Sequence, residues 1–343
     1  MKILQIMAGR RHGGAETYSA DVILALHRAG LDQCVVMQQT APRFAELAAA
    51  GVRMAPSPLA VPLPAWQRWR MRGLMAREKP DAVHCWMRRA ASLVPATEKP
   101  VIGWFGGYYD PGKFGRCTQF VGVTRDIVAH MLKQGVAPER ATFIPTFPDI
   151  ADSPAIDRAT LATPRDARVL LTLSRLHEKK GLDTMLDALA GLPDCVLWMA
   201  GDGPLQNALE AQAARLGVTS RLRFLGWRTD RAALLRAADV CVLPSRYEPF
   251  GTVILEAWAA DTPLVACASA GPAAHVEDGV TGLLSPIDDP AALRANIRRV
   301  LDDKALAARL TAQGRAAYLA GYTREAVTQQ WLAYYRRITG AAA

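Results

Sequence analysis

Pro244-Ser245-Arg246-Tyr247-Glu248-Pro249-Phe250-Gly251-Thr252-Val253-Ile254-Leu255-Glu256 decides how the rest of the chain is read. The run before it, Val240-Cys241-Val242-Leu243, has the length and apolarity of a buried strand. After it, Val253 to Ala260 reads as a helix start, with Ile254 and Trp258 on an apolar face. The stretch is therefore a strand-to-helix turn. Such a turn aims free backbone N–H groups and a positive helix end at whatever lies above it, which suits a phosphate. Two carboxylates add a second preference. Glu248 sits in the loop beside Pro249 and Gly251, and Glu256 about one turn into the helix. Carboxylates accept hydrogen bonds from hydroxyls while amides donate to phosphate, so the combination suits a nucleotide sugar. Two glutamates that merely solvate a helix start remain the plainer alternative.

The neighbouring segments repeat this strand–turn–helix rhythm. Arg168 to Leu173 reads as a strand, followed by Ser174-Arg175-Leu176-His177-Glu178-Lys179-Lys180-Gly181 and a helix with Leu182, Met185, Leu186 and Leu189 on one face. Cations near a helix start oppose its dipole, so Arg175 and Lys180 ask for an anion; a solvated charge cluster is the alternative. Val196 to Ala200 is a strand running into Gly201-Asp202-Gly203-Pro204, where glycine allows a tight turn and proline suits a first helical position. Leu222 to Leu225 ends at Gly226-Trp227-Arg228. Beyond the central stretch come Pro263 to Ala266, Gly271-Pro272 and Gly279 to Leu284. Helices follow over about Pro290–Leu301 and Lys304–Tyr318, and a last one runs from a Thr323 cap through Tyr335.

Towards the N-terminus, Met1 to Ala8 reads as a strand, and its flank Arg10-Arg11-His12 argues against a signal peptide. Gly13-Gly14 follows, where a first strand hands over to a helix through about Ala29; close approach to a ligand and a plain glycine turn both fit. Gln33 to Gln38 is the second strand, a βαβ beginning that argues for a parallel sheet. Within Pro62 to Arg77 the chain after Pro64 reads as a helix with Trp66, Trp69 and Leu74 towards one side and arginines around the rest. Tryptophan with arginine suits a headgroup layer, although a surface helix with its tryptophans packed inward fits as well. Asp81 to Trp86 is a strand carrying His84 near its C-terminal end, either a core residue or one facing an acceptor. Val101 to Phe105 is followed by Gly106-Gly107-Tyr108-Tyr109, a glycine turn or a stacking wall for a sugar. Phe120 to Val123 leads into a helix capped by Thr124, and Thr142 to Pro145 gives a last strand. Pro148 to Arg165, rich in Pro, Asp and Ser, reads as a linker.

The chain has 343 residues, enough for two domains. No apolar run reaches membrane-spanning length. Six scattered cysteines (Cys34, Cys85, Cys117, Cys195, Cys241, Cys267) have no paired spacing and read as reduced, buried small hydrophobes of a cytosolic protein, with no metal site. The net charge of +9 arrives without any nucleic-acid motif, which favours an anionic membrane surface or an anionic acceptor.

With these segments in place, Glu248-Pro-Phe-Gly-Thr-Val-Ile-Leu-Glu256 resembles the Glu-x7-Glu signature of retaining GT-B glycosyltransferases of the family-four, or group 1, type. The likeness spans nearly the whole chain, most strongly from Arg168 to Leu284. It implies an α/β architecture of two Rossmann-like domains facing across a cleft. Residues 1–150 would form the acceptor side, joined by a returning C-terminal helix at about 323–343, and residues 166–322 the nucleotide-sugar side. It implies retaining transfer from a nucleoside-diphosphate sugar to an acceptor hydroxyl, with no metal or other cofactor and with the leaving phosphate helping to deprotonate the acceptor. By the same resemblance Arg175 and Lys180 clamp the diphosphate, and Glu248 holds hydroxyls of the donor sugar. Glu256 takes the ribose hydroxyls. Phe250, Gly251, Thr252, Val253, Gly201, Trp227 and Arg228 line the donor, and Gly13 and Gly14 lie under its phosphates and beside the acceptor. Relatives carry a histidine after the strand that here is Val101 to Phe105; this chain has Trp104-Phe105-Gly106-Gly107 instead. His84, Tyr108 and Tyr109 are then the acceptor-side candidates. The expected partners are a nucleotide sugar, a lipopolysaccharide or other lipid-linked saccharide, and an anionic membrane at the cytoplasmic face of the inner membrane. A sugar-nucleotide epimerase on the same fold, a binding protein without turnover and a membrane-docking scaffold remain as alternatives.

Overall fold

The computed structural model describes residues 1–9, 14–41, 43–57, 64–148, 150 and 152–341. The chain divides into two compact units, Met1–Phe147 with Arg324–Ala343, and Pro148–Thr323.

The first unit is built on strands β1 (Lys2–Ile6), β2 (Asp32–Met37), β3 (Arg53–Pro56), β4 (Ala82–Cys85), β5 (Val101–Phe105), β6 (Gln119–Gly122) and β7 (Ala141–Phe143). Among the described residues they form one parallel sheet in the order β3-β2-β1-β4-β5-β6-β7. The central strands are buried along their length because both faces of such a sheet are covered, and beyond Lys2 they are apolar except at Gln5 and His84. Helices α1 (Gly14–Arg28), α2 (Phe44–Ala49), α3 (Pro64–Glu78), α4 (Arg88–Ala91) and α5 (Arg125–Lys133) connect them. The cap on α5 is Thr124, whose hydroxyl accepts from the Ile127 amide at 3.0 Å. Both α2 and β3 lack a sequence signal. The helix is six residues long and buries only Leu47, and β3 is an edge strand ending in Pro56, tolerated there because that edge needs no donor.

The chain returns to this unit with α13 (Arg324–Thr339), which packs against α1. Val327, Trp331 and Tyr335 fall four residues apart, on one helical face, and all are fully buried. Trp331 and Tyr335 join Trp86 and His84 in an aromatic cluster, with Tyr18 and Trp104 against Trp86. A polar thread runs through it. Gln33 donates to the Ile23 carbonyl at 2.7 Å, Gln5 donates to Gln33 at 3.2 Å, and Trp86 donates to Gln5 at 2.9 Å.

The face that α3 buries differs from the expectation. Met71 and Leu74 point inward, with Gln67, Met75 and Glu78 half-buried, which is helical spacing. Trp69 lies on the opposite side and is 64% exposed. Trp66 is half-buried, with the Arg70 guanidinium 5.4 Å from its ring centroid. The tryptophans therefore do not share a face with Leu74.

The second unit carries β8 (Arg168–Leu173), β9 (Cys195–Ala200), β10 (Leu222–Gly226), β11 (Val240–Leu243), β12 (Leu264–Cys267) and β13 (Leu283–Ser285). They form a parallel sheet in the order β10-β9-β8-β11-β12-β13. Around it lie α6 (Leu182–Ala190), α7 (Gln206–Arg215), α8 (Arg231–Ala237), α9 (Thr252–Ala259), α10 (Ala270–His275), α11 (Pro290–Asp302) and α12 (Lys304–Gly321). One face of the sheet is sealed by Leu182, Met185, Leu186 and Leu189 of α6 with Leu293 and Ile297 of α11. The segment read as a linker is bound to this unit. Ile156 N–H donates to the Ala233 carbonyl at 3.1 Å, Arg158 donates to Ala237 and Ala167 carbonyls, and Trp198 donates to the Thr163 hydroxyl at 2.9 Å. Asp157 caps a short turn within it, accepting from the Ala159 amide at 3.1 Å.

Candidate active site

In the second sheet the chain builds β8, β9 and β10 in one direction and then returns to place β11 on the other side of β8. Loops leaving the carboxyl ends of β8 and β11 meet at this switch point, the usual ligand position in an open α/β sheet, where the Arg246 amide donates to the Lys179 carbonyl at 2.9 Å. Arg175 and Lys180 follow β8, and Glu248 follows β11. The order of the strands, rather than nearness in sequence, brings Lys180 to Glu248.

Lys180 Nζ donates to Glu248 Oε2 between the two loops. Both side chains are mostly buried, at 23% and 15% exposure. Arg175 is exposed, and no ion pair to it is recorded among the described residues. Its loop rests on the turn after β9: Leu176 N–H donates to the Asp202 carbonyl at 2.8 Å, and a Cβ on Gly201 would lie 1.9 Å from the Ser174 carbonyl oxygen. Gly201 has φ +143°, so a side chain is excluded by space and by backbone conformation alike. The structure thus shows Gly201 supporting the loop that carries Arg175.

Helix α9 begins at Thr252, with Gly251 preceding it in a left-handed conformation. Its first amides belong to those a helix leaves without internal acceptors. Phe250 is buried, edge-to-face with His275 at 4.5 Å, while Thr252 is exposed and Val253 half-buried. Burial of the His275 imidazole lowers its pKa to about 4. The Glu248 carbonyl accepts from the Gly271 amide at 2.6 Å, which fastens the loop to α10.

Glu256 lies on the inward side of α9, 1% exposed, and Arg231 Nη1 donates to its Oε1. Oε2 is buried with no hydrogen-bond partner. Burial raises the Glu256 pKa, and the Arg231 charge opposes that rise. Arg231 escaped the sequence reading because it lies 25 positions away and belongs to no recognisable motif. Trp227 is 71% exposed at the end of β10. Arg228 donates to Asp230 at 2.8 Å and is half-buried.

The remaining candidates belong to the first unit. Gly14 begins α1, whereas Gly13 lies outside the described residues. Tyr108 donates to Asp126 and meets His130 edge-on at 5.5 Å. Tyr109 is 47% exposed and packs on Phe105 and Phe114. His84 requires a correction. It is fully buried, its Nδ1 lies 2.7 Å from the Tyr335 hydroxyl, and it stacks on Trp86 at 4.1 Å. Burial lowers its pKa to about 3. It is a core histidine beneath α13, because β4 lies under that helix, and so it does not present a side chain to an acceptor. All six cysteines are free and buried. Among the described residues no group of three His, Cys, Asp or Glu side chains gathers as a metal cluster, and no helix is long and apolar enough to cross a membrane.

Residues 155–317 match the family described as glycosyl transferases group 1, and residues 12–152 match glycosyltransferase family 4. Over 340 residues the chain is 32% identical to the lipopolysaccharide core biosynthesis glycosyltransferase LpsE of Rhizobium meliloti, covering 97% of this chain and 98% of that one. The chain belongs to the group 1 glycosyl transferases. A second Rhizobium meliloti relative, the lipopolysaccharide core biosynthesis glycosyltransferase LpsD, is 30% identical over 340 residues, 98% of each chain. The crystal structure of a glycosyltransferase from Rickettsia africae ESF-5 agrees in fold, with a TM-score of 0.86 over 99% of both chains at 18% identity. This group 1 transferase therefore has the GT-B fold, two Rossmann-like units each with a parallel sheet. Its Glu-x7-Glu motif is the β11–α9 connection, with one glutamate tied to the loop after β8 and the other to α8.

Proposed function

We propose that this glycosyltransferase moves a hexose from a nucleoside-diphosphate sugar to a saccharide hydroxyl with retention at the anomeric carbon. The observation that carries the reading is the meeting of Lys180 with Glu248 at the switch point of the second sheet. A cation for the diphosphate and a carboxylate for sugar hydroxyls stand side by side, which is what a nucleotide sugar requires. As the glycosidic bond breaks, negative charge grows on the leaving diphosphate. Lys180, Arg175 and the amides of Gly251, Thr252 and Val253 stabilise it, so the step needs neither metal nor other cofactor. The leaving phosphate takes the acceptor proton. Glu256 accepts from the ribose hydroxyls, Phe250 backs the donor, and Trp227 and Arg228 flank the base. On the acceptor side Gly13, Gly14, Tyr108 and Tyr109 remain the residues of choice.

For the acceptor we infer a lipopolysaccharide core saccharide, because both Rhizobium relatives are named for that synthesis. The outer side of α3 supports work at an anionic membrane, on the cytoplasmic face of the inner membrane. Trp69 stands exposed among exposed Arg68, Arg70, Arg72 and Arg77. Exposed tryptophan with arginine suits the headgroup layer.

The test is turnover of a panel of nucleotide sugars with a truncated core oligosaccharide, with and without a chelator, and NMR assignment of the product's anomeric configuration. The proposal predicts one donor transferred with retention, undiminished by the chelator. Inversion, or a strict metal requirement, would overturn it.

A further inference from the structure

Arg246 lies inside the motif, yet its side chain turns away from Glu248 and gathers four other residues. Its Nε donates to Asp288 at 2.6 Å, and Nη1 donates to the Glu178 carbonyl at 2.9 Å. Nη1 and Nη2 together take both oxygens of Asp183, at 2.8 and 2.7 Å, and Nη2 reaches the Thr184 hydroxyl at 3.2 Å. Its backbone adds to this. The Arg246 and Tyr247 amides both donate to the Lys179 carbonyl, at 2.9 and 3.1 Å, and Lys179 Nζ lies over the Tyr247 ring at 4.7 Å. Gly181, with φ +60°, lets the two loops touch, since a Cβ there would lie 2.1 Å from the Pro244 carbonyl oxygen. Lys180 is flanked on one side by Glu178 and Lys179, which Arg246 and its neighbour bind, and on the other by this contact. Glu248 follows Arg246 by two residues.

We propose that Arg246 is a positioning residue, holding the turn that carries Lys180 against the loop that carries Glu248 so that the two side chains meet. The proposal rests on the donor-site reading of that pair. A guanidinium is required because one planar fork must satisfy a carboxylate bidentately, a carbonyl and a second carboxylate at once; an ammonium cannot span them. Removing the cation also leaves Asp183 and Asp288 as neighbouring like charges, with Asp288 held at φ +59°.

The experiment is trace acylation of the intact protein, with labelling of each lysine read by mass spectrometry, in wild type, R246Q, R246K and E248Q. Thermal melts check folding. Release of Lys180 from its carboxylate should raise its labelling about threefold or more in R246Q, approaching E248Q, with R246K between and Lys133 on α5 unchanged. Lys180 labelled at the wild-type rate in folded R246Q would overturn the proposal. Should R246Q fail to fold, D288N, which weakens only one arm of the clamp, should raise Lys180 labelling by a smaller amount; an unchanged rate there would overturn it equally. A general loosening would instead raise every lysine, Lys133 included, and would contradict a positioning role. In parallel, binding of inorganic pyrophosphate is titrated by thermal shift. Its dissociation constant should rise about tenfold in R246Q, in step with Lys180 labelling. Absence of pyrophosphate binding in wild type would sink the donor-site reading while the labelling still decides the part played by Arg246.

Discussion

Lys180 and Glu248 stand 68 positions apart, and they meet because β11 returns beside β8. Their contribution is measurable one side chain at a time. A charged hydrogen bond is worth about 1.5–3 kcal/mol, so E248A should lose about ten- to a hundredfold in kcat, read as nucleoside diphosphate released per enzyme. Full activity would remove Glu248 from the donor site. Glu256 tests a different property. Burial raises its pKa and the Arg231 charge opposes that rise, so R231M should push it further up. Donor KM in that variant should be most impaired at low pH and recover as pH rises and Glu256 ionises. A defect equal at every pH would contradict this. The two glutamates were legible in the sequence because their spacing is local. Arg231 was not, and neither was the clamp on Arg246, since both depend on contacts made only after the sheet has folded.

Among the elements, α13 and α3 show how far periodicity reaches. The helical character of α13 is plain in its sequence, but nothing local says that it covers the first sheet. Trp331 is fully buried there. W331A should destabilise the protein by about 3–5 kcal/mol in chemical denaturation, with little effect on the second unit's ligand binding. In α3 the apolar pattern is ambiguous, because Trp66, Trp69, Met71 and Leu74 admit more than one buried stripe. Packing settles it in favour of Met71 and Leu74, and Trp69 is left outside. If that outer face meets anionic lipid, each arginine contributes about 1 kcal/mol. Glutamine at Arg68, Arg70 and Arg72 together should then weaken binding to phosphatidylglycerol vesicles about a hundredfold. Binding that survives the triple change would place the membrane contact elsewhere, or nowhere.

For the whole molecule, length and charge told little beyond room for two domains and a basic balance; the βαβ order of segments argued for the parallel sheet, and the motif carried the family. The unpredicted parts are those where a residue's meaning is decided by what covers it. His84 is the clearest, since a histidine near the end of a strand looks the same in sequence whether it faces ligand or core. Its burial makes stability depend on acid. The folded pKa of about 3 lies below the ordinary 6.5, so the unfolded chain binds more protons in between. Stability is full above that range and falls as pH drops through it. From pH 6.5 to 5 the loss should be about 2 kcal/mol from this residue, and H84Q should be spared that share in denaturation measured at both pH values. An equal acid loss in H84Q would show that His84 is not held neutral.

The most direct test of the central claim is a thermal-shift panel of nucleoside diphosphates and their sugars on wild type, R175A and K180A. A ligand that binds only the folded state raises the midpoint by mass action. One nucleotide sugar should raise it in wild type, and the shift should vanish in both variants while their unliganded melts stay close to wild type. A shift retained in both would place the donor away from the β8–β11 switch point, and no shift with any nucleotide would contradict the donor site altogether.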